Sequence, residues 1–444
     1  MVAGASDDRL ESELLHAGCL RRLQLNSFNY FTREVNRTKG LVLDKTAPQW
    51  PASIAAMGMA LTVYLVGAHR GFIERRDAAT RSLAMLRFLA ASEQSESPQA
   101  TGYRGFYYHF LNMESGRRAW HCELSSIDTA LLIAGVLVAA QYFDRDHPDE
   151  VEIRGLAATL YERVDWHWML NGEDTLCHGW SPETGFLGYH WHGYDEALIL
   201  YLLALGSPTH PIDPRCYEAW CATYAWKKIF DQELLYAGPL FIHQMSHIWC
   251  DFRGIRDHFM RGHDCDYFEN SRRATIVQQQ YAIRNPNDYP HRNALCWGIT
   301  ASDGPGNLTK NISGVERTFY GYVARGAPFG PDDGTVAPWA VAASLPFAPE
   351  IVAPTISHMT DLQVHTSNPY GFKASFNPLF QESGAVDGVG WVSPYHYGIN
   401  EGPTVLMIEN YRSELIWRLM RQCAALRGGL RAAGFTGGWL QTYA

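Results

Sequence analysis

Residues 52–68 read ASIAAMGMALTVYLVGA, and residues 73–91 read IERRDAATRSLAMLRFLAA. The first stretch runs 17 residues without a charge. The second carries its charges on one face and Leu, Met and Phe on the other. A helix that is apolar all round must be enclosed by other structure, whereas an amphipathic helix shows one face to water. The pair therefore reads as an inner helix followed by an outer one. The same alternation returns at 126–142, with TALLIAGVLVAA over 129–140, followed by the amphipathic 150–170. Inner and outer helices alternating down the chain imply an all-α barrel of helical hairpins. With no stretch that reads as a linker, one domain over 1–444 is expected. No repeat of fixed period occurs, which excludes a regular solenoid.

Further helices are expected at 9–35, 195–205, 214–228, 268–283, 336–344, 349–362 and 403–427. Between them lie loops rich in Gly, Pro, Tyr and Trp at 97–122, 171–194, 299–331 and 367–402, with strand-like pieces expected at 105–112 (GFYYHFLN). Loops this long in a compact domain are usually functional. Residues 52–68 sit at the lower limit for crossing a bilayer. Their Ala and Gly content favours a core helix, so no membrane is expected as a partner. The N-terminal MVAGASDDRLESELL has no basic segment leading into an apolar run. The chain as given reads as cytoplasmic, or as periplasmic with a signal peptide removed.

Composition narrows the function. The 444 residues hold 37 Lys+Arg against 46 Asp+Glu, a net charge of −9, and 13% are aromatic. A nucleic-acid partner would need a basic surface. The nine Cys, an odd number with no CxxC, read as free thiols rather than a zinc site. His243 and His247 have the i,i+4 spacing of metal ligands, but no HExxH frames them and no third ligand is marked. No phosphate-binding loop, dinucleotide fingerprint or GxSxG elbow is present. No metal or cofactor is expected.

The densest segment is 165–196, DWHWMLNGEDTLCHGWSPETGFLGYHWHGYDE. It concentrates Trp166, Trp168, Trp180, Trp191, Tyr189 and Tyr194 with His167, His178, His190 and His192. Aromatic faces with polar tips suit sugars, which pair an apolar face with a ring of hydroxyls. Acids stand at helix starts: Glu123 and Asp128, Asp195 and Glu196, and Glu401 before Pro403, which reads as a first-turn proline. Singly, each has a bland explanation. Ser125 with Asp128 resembles a capping box, and an acid at a helix N-terminus favours the macrodipole. As a set they would converge on one face of a helical-hairpin barrel. Paired carboxylates in an aromatic cleft are the equipment of glycoside cleavage, one protonating the leaving oxygen while the other activates water or attacks. The DDGT at 332–335 reads as a turn, with a Ca²⁺ site as the alternative.

These segments together resemble the bacterial glycoamylase-like proteins, the group that includes the glycoside hydrolase family 144 β-1,2-glucanases. The resemblance lies in SIAAMGMALT (53–62), ELSSIDTALLIAG (123–135), DWHWM (165–169), HGW (178–180) leading to YDEALILYLLALGSPTHPI (194–212), WGITASDGP (297–305), DDGTVAPWAVAASLPFAPE (332–350) and WVSPYHYGINEGPTVLMIENYRSELIW (391–417). It implies an (α/α)6 barrel and hydrolysis of a β-linked glucan, most of all β-1,2-glucan or its oligosaccharides, by an inverting acid/base route. Glu196 of the "DEA" motif carries over as general acid. Asp128 or Glu401 would position or activate water, with Glu123 in support. Trp166, Trp180, Trp191 and Tyr194 are expected as sugar platforms, and His190, His192, Arg104 and Asp333 as further substrate-binding groups. Two departures stand out. Where many relatives read DQGP, this chain reads NEGP at 400–403. Where the related barrel of cyclic β-1,2-glucan synthases carries ES, this chain has Ala301–Ser302, which would remove a nucleophile and fits inversion. A polysaccharide lyase or epimerase on the same barrel, and a non-catalytic carbohydrate-binding protein, are the alternatives.

Overall fold

Ser53 and Ser125 open the two most apolar helices in the same way. Each ends a two-residue strand and turns its hydroxyl onto a free backbone N–H of the first turn, of Ala56 and Asp128 respectively. Such caps satisfy donors that no helical carbonyl reaches. The computed structural model containing them describes residues 4–362, 368–381 and 388–443, with side chains from residue 17 onward. Of the expected 367–402 loop, residues 367 and 382–387 lie outside the described residues.

The chain runs through α1 (Gly4–Arg33), α2 (Ile54–Arg70), α3 (Arg75–Ala91), α4 (Ser126–Tyr142), α5 (Pro148–Glu162), α6 (Leu198–Leu205) and α7 (Pro214–Cys221). It continues through α8 (His258–Gly262), α9 (Tyr267–Arg284), α10 (Pro338–Ala343), α11 (Pro349–Asp361), α12 (Gly398–Ser413), α13 (Leu415–Arg421) and α14 (Ala424–Ala432). Short antiparallel strand pairs and one three-stranded sheet decorate the loops. The inner–outer alternation is present. Helix α2 packs on α4 and α12 and is covered by α3; α4 packs on α6 and is covered by α5; α12 packs on α10 and is covered by α1. Between α6 and α10, the turns at Leu240–His243 and Ser246–Ile248 bridge the two. Ser246 Oγ accepts from Ile199 N of α6, and Gln244 Nε2 donates to Ala340 O of α10.

Close approach fixes the α2–α4 contact. A Cβ at Gly58 would stand 2.3 Å from the Leu131 carbonyl oxygen, and one at Gly135 would stand 2.1 Å from the Gly58 oxygen. Only glycine allows the two backbones to meet. Residues 54–67 of α2 are all buried. Among the described residues no helix is long and apolar enough to cross a membrane. All nine cysteines are free.

Four helix expectations are corrected. The 150–170 helix stops at Glu162, with only a separate turn at Trp168–Leu170. The 195–205 helix starts at Leu198, leaving Asp195 and Glu196 in the preceding turn. The 214–228 helix stops at Cys221, and Lys227 and Lys228 belong to a hairpin, Trp226–Ile229 against Gln232–Leu235. The 403–427 helix is three helices, and Pro403 lies inside α12, not in its first turn. The break after α12 falls at Glu414, which takes a left-handed φ of 56°.

Candidate active site

Helix starts and loops enclose a cavity of about 390 Å³. Helix α4 contributes Ile127, Asp128 and Leu131, α12 contributes Ile399 and Asn400, and α10 contributes Trp339. Glu196 enters from the turn before α6, and Phe241 and Met245 from the bridging turns. The loops close the walls with His109, Glu123, His178, Leu187, Trp191, Ala301 and Tyr322.

Among the described residues no guanidinium forms an ion pair with these acids; Arg118 acts on Glu123 through its charge alone. Burial raises the Glu196 carboxyl to about 7, and the neighbouring Asp128 charge adds to the rise. The group is therefore substantially protonated near neutrality, as a proton donor must be. Asp195 is likewise pushed well up by burial and by Glu196, while its oxygen accepts from Ala197 N and Trp220 Nε1. Asp128 accepts from the Ser125 hydroxyl, which itself caps the helix. Opposite lies His109. Its Nδ1 meets Glu123 Oε1 at 2.9 Å and its Nε2 lies 3.6 Å from Asp128 Oδ2. Burial opposes charging of this ring, but Asp128, Glu123 and Asp44 outweigh it and raise it to about 9. It is an imidazolium at neutral pH. Burial acts against ionisation of Glu123 as well, and the hydrogen bond and charge of His109 overcome it, holding the carboxyl below its usual range. His178 stacks flat on Trp191 at 3.7 Å and is kept neutral by burial and by His190 and His192. Trp191 in turn donates its Nε1 to Ser126 Oγ.

Five of the residues singled out in the sequence thus meet at one cavity: Glu123, Asp128, His178, Trp191 and Glu196. Others do not line it. Glu401 is 3% exposed and pairs with His396 Nδ1 at 2.8 Å; it is its neighbour Asn400 that lines the cavity. Trp166 is completely buried with its ring edge-on to Phe106, so it is a core residue and not a platform. Tyr194 turns into an aromatic cluster with His243, Tyr224 and Tyr267. His190 bonds the Thr175 carbonyl, and His192 reaches the Thr175 hydroxyl. Trp180 packs with Tyr103 and Trp168, and Arg104, which pairs with Asp165, lies over the same two rings; this aromatic group is outside the cavity lining. Asp333 is buried in a two-pronged ion pair with Arg325, and Asp332 pairs with Arg292. The DDGT stretch is a turn whose acids are already matched by arginines.

The sequence reading missed His109, Tyr322 and Asp44. Burial raises Asp44 to about 6, although Trp50 Nε1 donates to it and His109 lies near. His109 belongs to the 105–112 strand-like stretch, but the pairing that sets it against Glu123 is a tertiary fact. Tyr322 is an exposed aromatic in a Gly-containing turn, a combination that marks a binding loop more than a core.

With this geometry in view, the class is defined by a family match. The chain belongs to the Glycoamylase family, described as "Putative glucoamylase", whose model matches residues 188–424. More particular likenesses follow. The chain is 27% identical to an exo β-1,2-glucooligosaccharide sophorohydrolase (non-reducing end) of Parabacteroides distasonis, over 93% of this chain. It spans 57% of the length of that curated relative. Among solved structures, a "putative glucoamylase" of Bacteroides uniformis superimposes with a TM-score of 0.84 at 29% identity, covering 96% of this chain and 98% of the other. An endo-β-1,2-glucanase of Chitinophaga pinensis, in complex with sophorotriose and glucose, gives a TM-score of 0.81 at 25% identity, covering 96% of this chain and 99% of the other.

Proposed function

We propose that this chain is a glycoside hydrolase of β-1,2-linked glucan or its oligosaccharides, built as a single (α/α)6 barrel. The neighbour order α10, α12, α2, α4, α6, with the 240–248 turns between α6 and α10, supports a six-membered inner ring. The observation that carries the chemistry is Glu196: a carboxyl raised to about 7 in a cavity that it shares with Asp128. Glu196 donates its proton to the leaving glycosidic oxygen. Asp128 serves as the base side, positioning or activating water, with the His109 ring 3.6 Å from its Oδ2. Trp191 and Tyr322 offer faces for the sugar rings.

Inversion is supported by Ala301. This residue lines the cavity with a methyl group at the position where the resemblance to the related synthases implies a glutamate, so residue 301 itself offers no nucleophile. An inverting pair stands about 6.5–9.5 Å apart, which leaves room for water. The test is a panel of β-1,2-, β-1,3-, α-1,4- and α-1,6-glucans with NMR of the first anomer released. Turnover confined to β-1,2-glucan with an α-anomer first supports the reading. Turnover on an α-glucan alone, or an unsaturated product absorbing in the ultraviolet, overturns it.

A further inference from the structure

Beside the catalytic cavity lies a second opening of about 540 Å³, walled in part by Gln49, Trp50, Asn112, Glu114, Arg118 and Trp120. Its backbone is unusual. Gln49, Trp120 and His121 have φ of 57°, 53° and 53°, a left-handed conformation that bulky L residues avoid. Such conformations persist only where surrounding contacts impose them, and they gather at functional sites. Here Arg118 imposes it: its Nη2 donates to the His121 carbonyl and its Nε to the Cys122 carbonyl, while Glu183 grips the remaining nitrogens.

The held turn lifts Trp120 out of the protein. The ring is 54% exposed, braced edge-on by Trp50 at 4.6 Å and by Phe110 at 5.3 Å. A turn built for packing would bury this ring. Around it, the side chains of Gln49 and Glu114 are exposed and form no hydrogen bond with any described residue. An open aromatic face beside free amide and carboxylate groups is the composition that takes a sugar ring.

Packed side chains link the opening to the cavity. Phe110, which braces Trp120, stacks flat on His109 at 3.9 Å, and Trp50 donates its Nε1 to Asp44 at 2.9 Å. We propose that this opening is a saccharide subsite remote from the point of cleavage, where a further glucosyl unit of the substrate chain stacks on Trp120 and offers hydroxyls to Gln49 and Glu114. The inference rests on the β-1,2-glucan reading and extends it: the protein holds chains longer than its catalytic cavity contains.

The test compares Trp120→Ala with wild type on long linear β-1,2-glucan and on sophorotriose, together with affinity electrophoresis in gels containing the long glucan. The expected result is a rise in KM of about 3–10-fold on the long chain, the scale of one aromatic stack. Its kcat and the sophorotriose constants stay unchanged, retardation in the gel is lost, and Trp120→Phe keeps part of it. Equal KM on the long chain, or equal changes on both substrates, overturns the subsite. A wild type that cleaves sophorotriose yet is not retarded by the long glucan overturns it as well. A wild type that cleaves neither substrate overturns the functional reading, and retardation by the long glucan that is lost in Trp120→Ala would still uphold the subsite.

Discussion

Two sets of buried carboxylates differ in what faces them. Asp333 meets Arg325, Asp251 meets Arg253, and Glu409 meets Arg70, each in a short ion pair. Burial by itself would raise all three, but the hydrogen bonds and charge of the guanidinium outweigh it and hold them below their usual range. Glu196, Asp195 and Asp44 are raised by burial, and the hydrogen bonds or charges near them do not bring them back down. Burial alone therefore does not separate structural acids from reactive ones; the partner does. The first set holds the fold in place, and in the second Glu196, which lines the cavity, is left able to hold and release a proton there.

The largest effect that can break this distinction is on turnover. Glu196→Gln is expected to lower kcat by up to about ten-thousand-fold, the upper range for a general acid. Its stability should move the other way from that of a structural acid. The folded state raises this carboxyl to about 7, so it binds more protons than the unfolded chain between about pH 4.5 and 7. Its contribution to stability is lost as pH rises through that window. At pH 8 the Gln variant should melt at or above the wild-type temperature, as calorimetry would show. A large drop in Tm would put Glu196 in the structural set.

Next in size is Asp333→Asn. It leaves the fully buried Arg325 guanidinium without its counter-charge, at a cost of about 3–5 kcal/mol of stability in urea unfolding. Because the folded carboxyl is held below its usual range, the ion pair's contribution is present above about pH 4 and fades as pH falls below it. A change under about 1 kcal/mol would mean that this pair is not what pins the loop.

The same distinction explains what was legible in the sequence. The inner helices were legible because residues 52–68 and 129–140 are apolar all round, a property of composition alone. Glu123, Asp128 and Glu196 were legible because helix starts facing one way bring their acids together. Trp166 was not, since an aromatic-rich segment does not say which rings turn inward. Asp333 and Glu401 were misjudged because their partners, Arg325 and His396, can be paired with them only by the fold. His109 was missed for the same reason: its two carboxylates lie 14 and 19 positions further along the chain, and the turn that presents it comes from tertiary contacts. The left-handed Glu414 that ends α12 has no signal in its residue type at all.

His109 stands between the two sets, since it touches two of the cavity acids and can itself titrate. Being raised to about 9, it contributes stability that is fully present below about pH 6.5 and is lost as pH rises through 9. NMR of its ring protons should give a midpoint near 9, and Glu123→Gln should bring that midpoint down. His109→Gln should lower kcat by about ten- to hundredfold, the worth of one charge-assisted hydrogen bond. A midpoint that ignores Glu123 would remove the reason for assigning it to this network.

The smallest effect tests whether the structural set serves the reactive one. Arg325, neutralised by Asp333, donates from Nη2 to the carbonyls of Tyr320 and Gly321, the two residues before Tyr322, and from Nη1 to the Ser302 carbonyl. The Tyr322 ring is 61% exposed and forms part of the cavity wall. The buried ion pair thus fixes the turn that carries the Tyr322 ring to the cavity wall. Tyr322→Ala should raise KM about 2–10-fold, the value of one stacking face, with kcat and Tm nearly unchanged. Asp333→Asn, assayed well below its melting temperature, should raise KM to a similar degree because the same ring is then loosely held. If Tyr322→Ala raises KM and Asp333→Asn does not, the turn is held by its other contacts, and the arginine-paired acids contribute to stability alone.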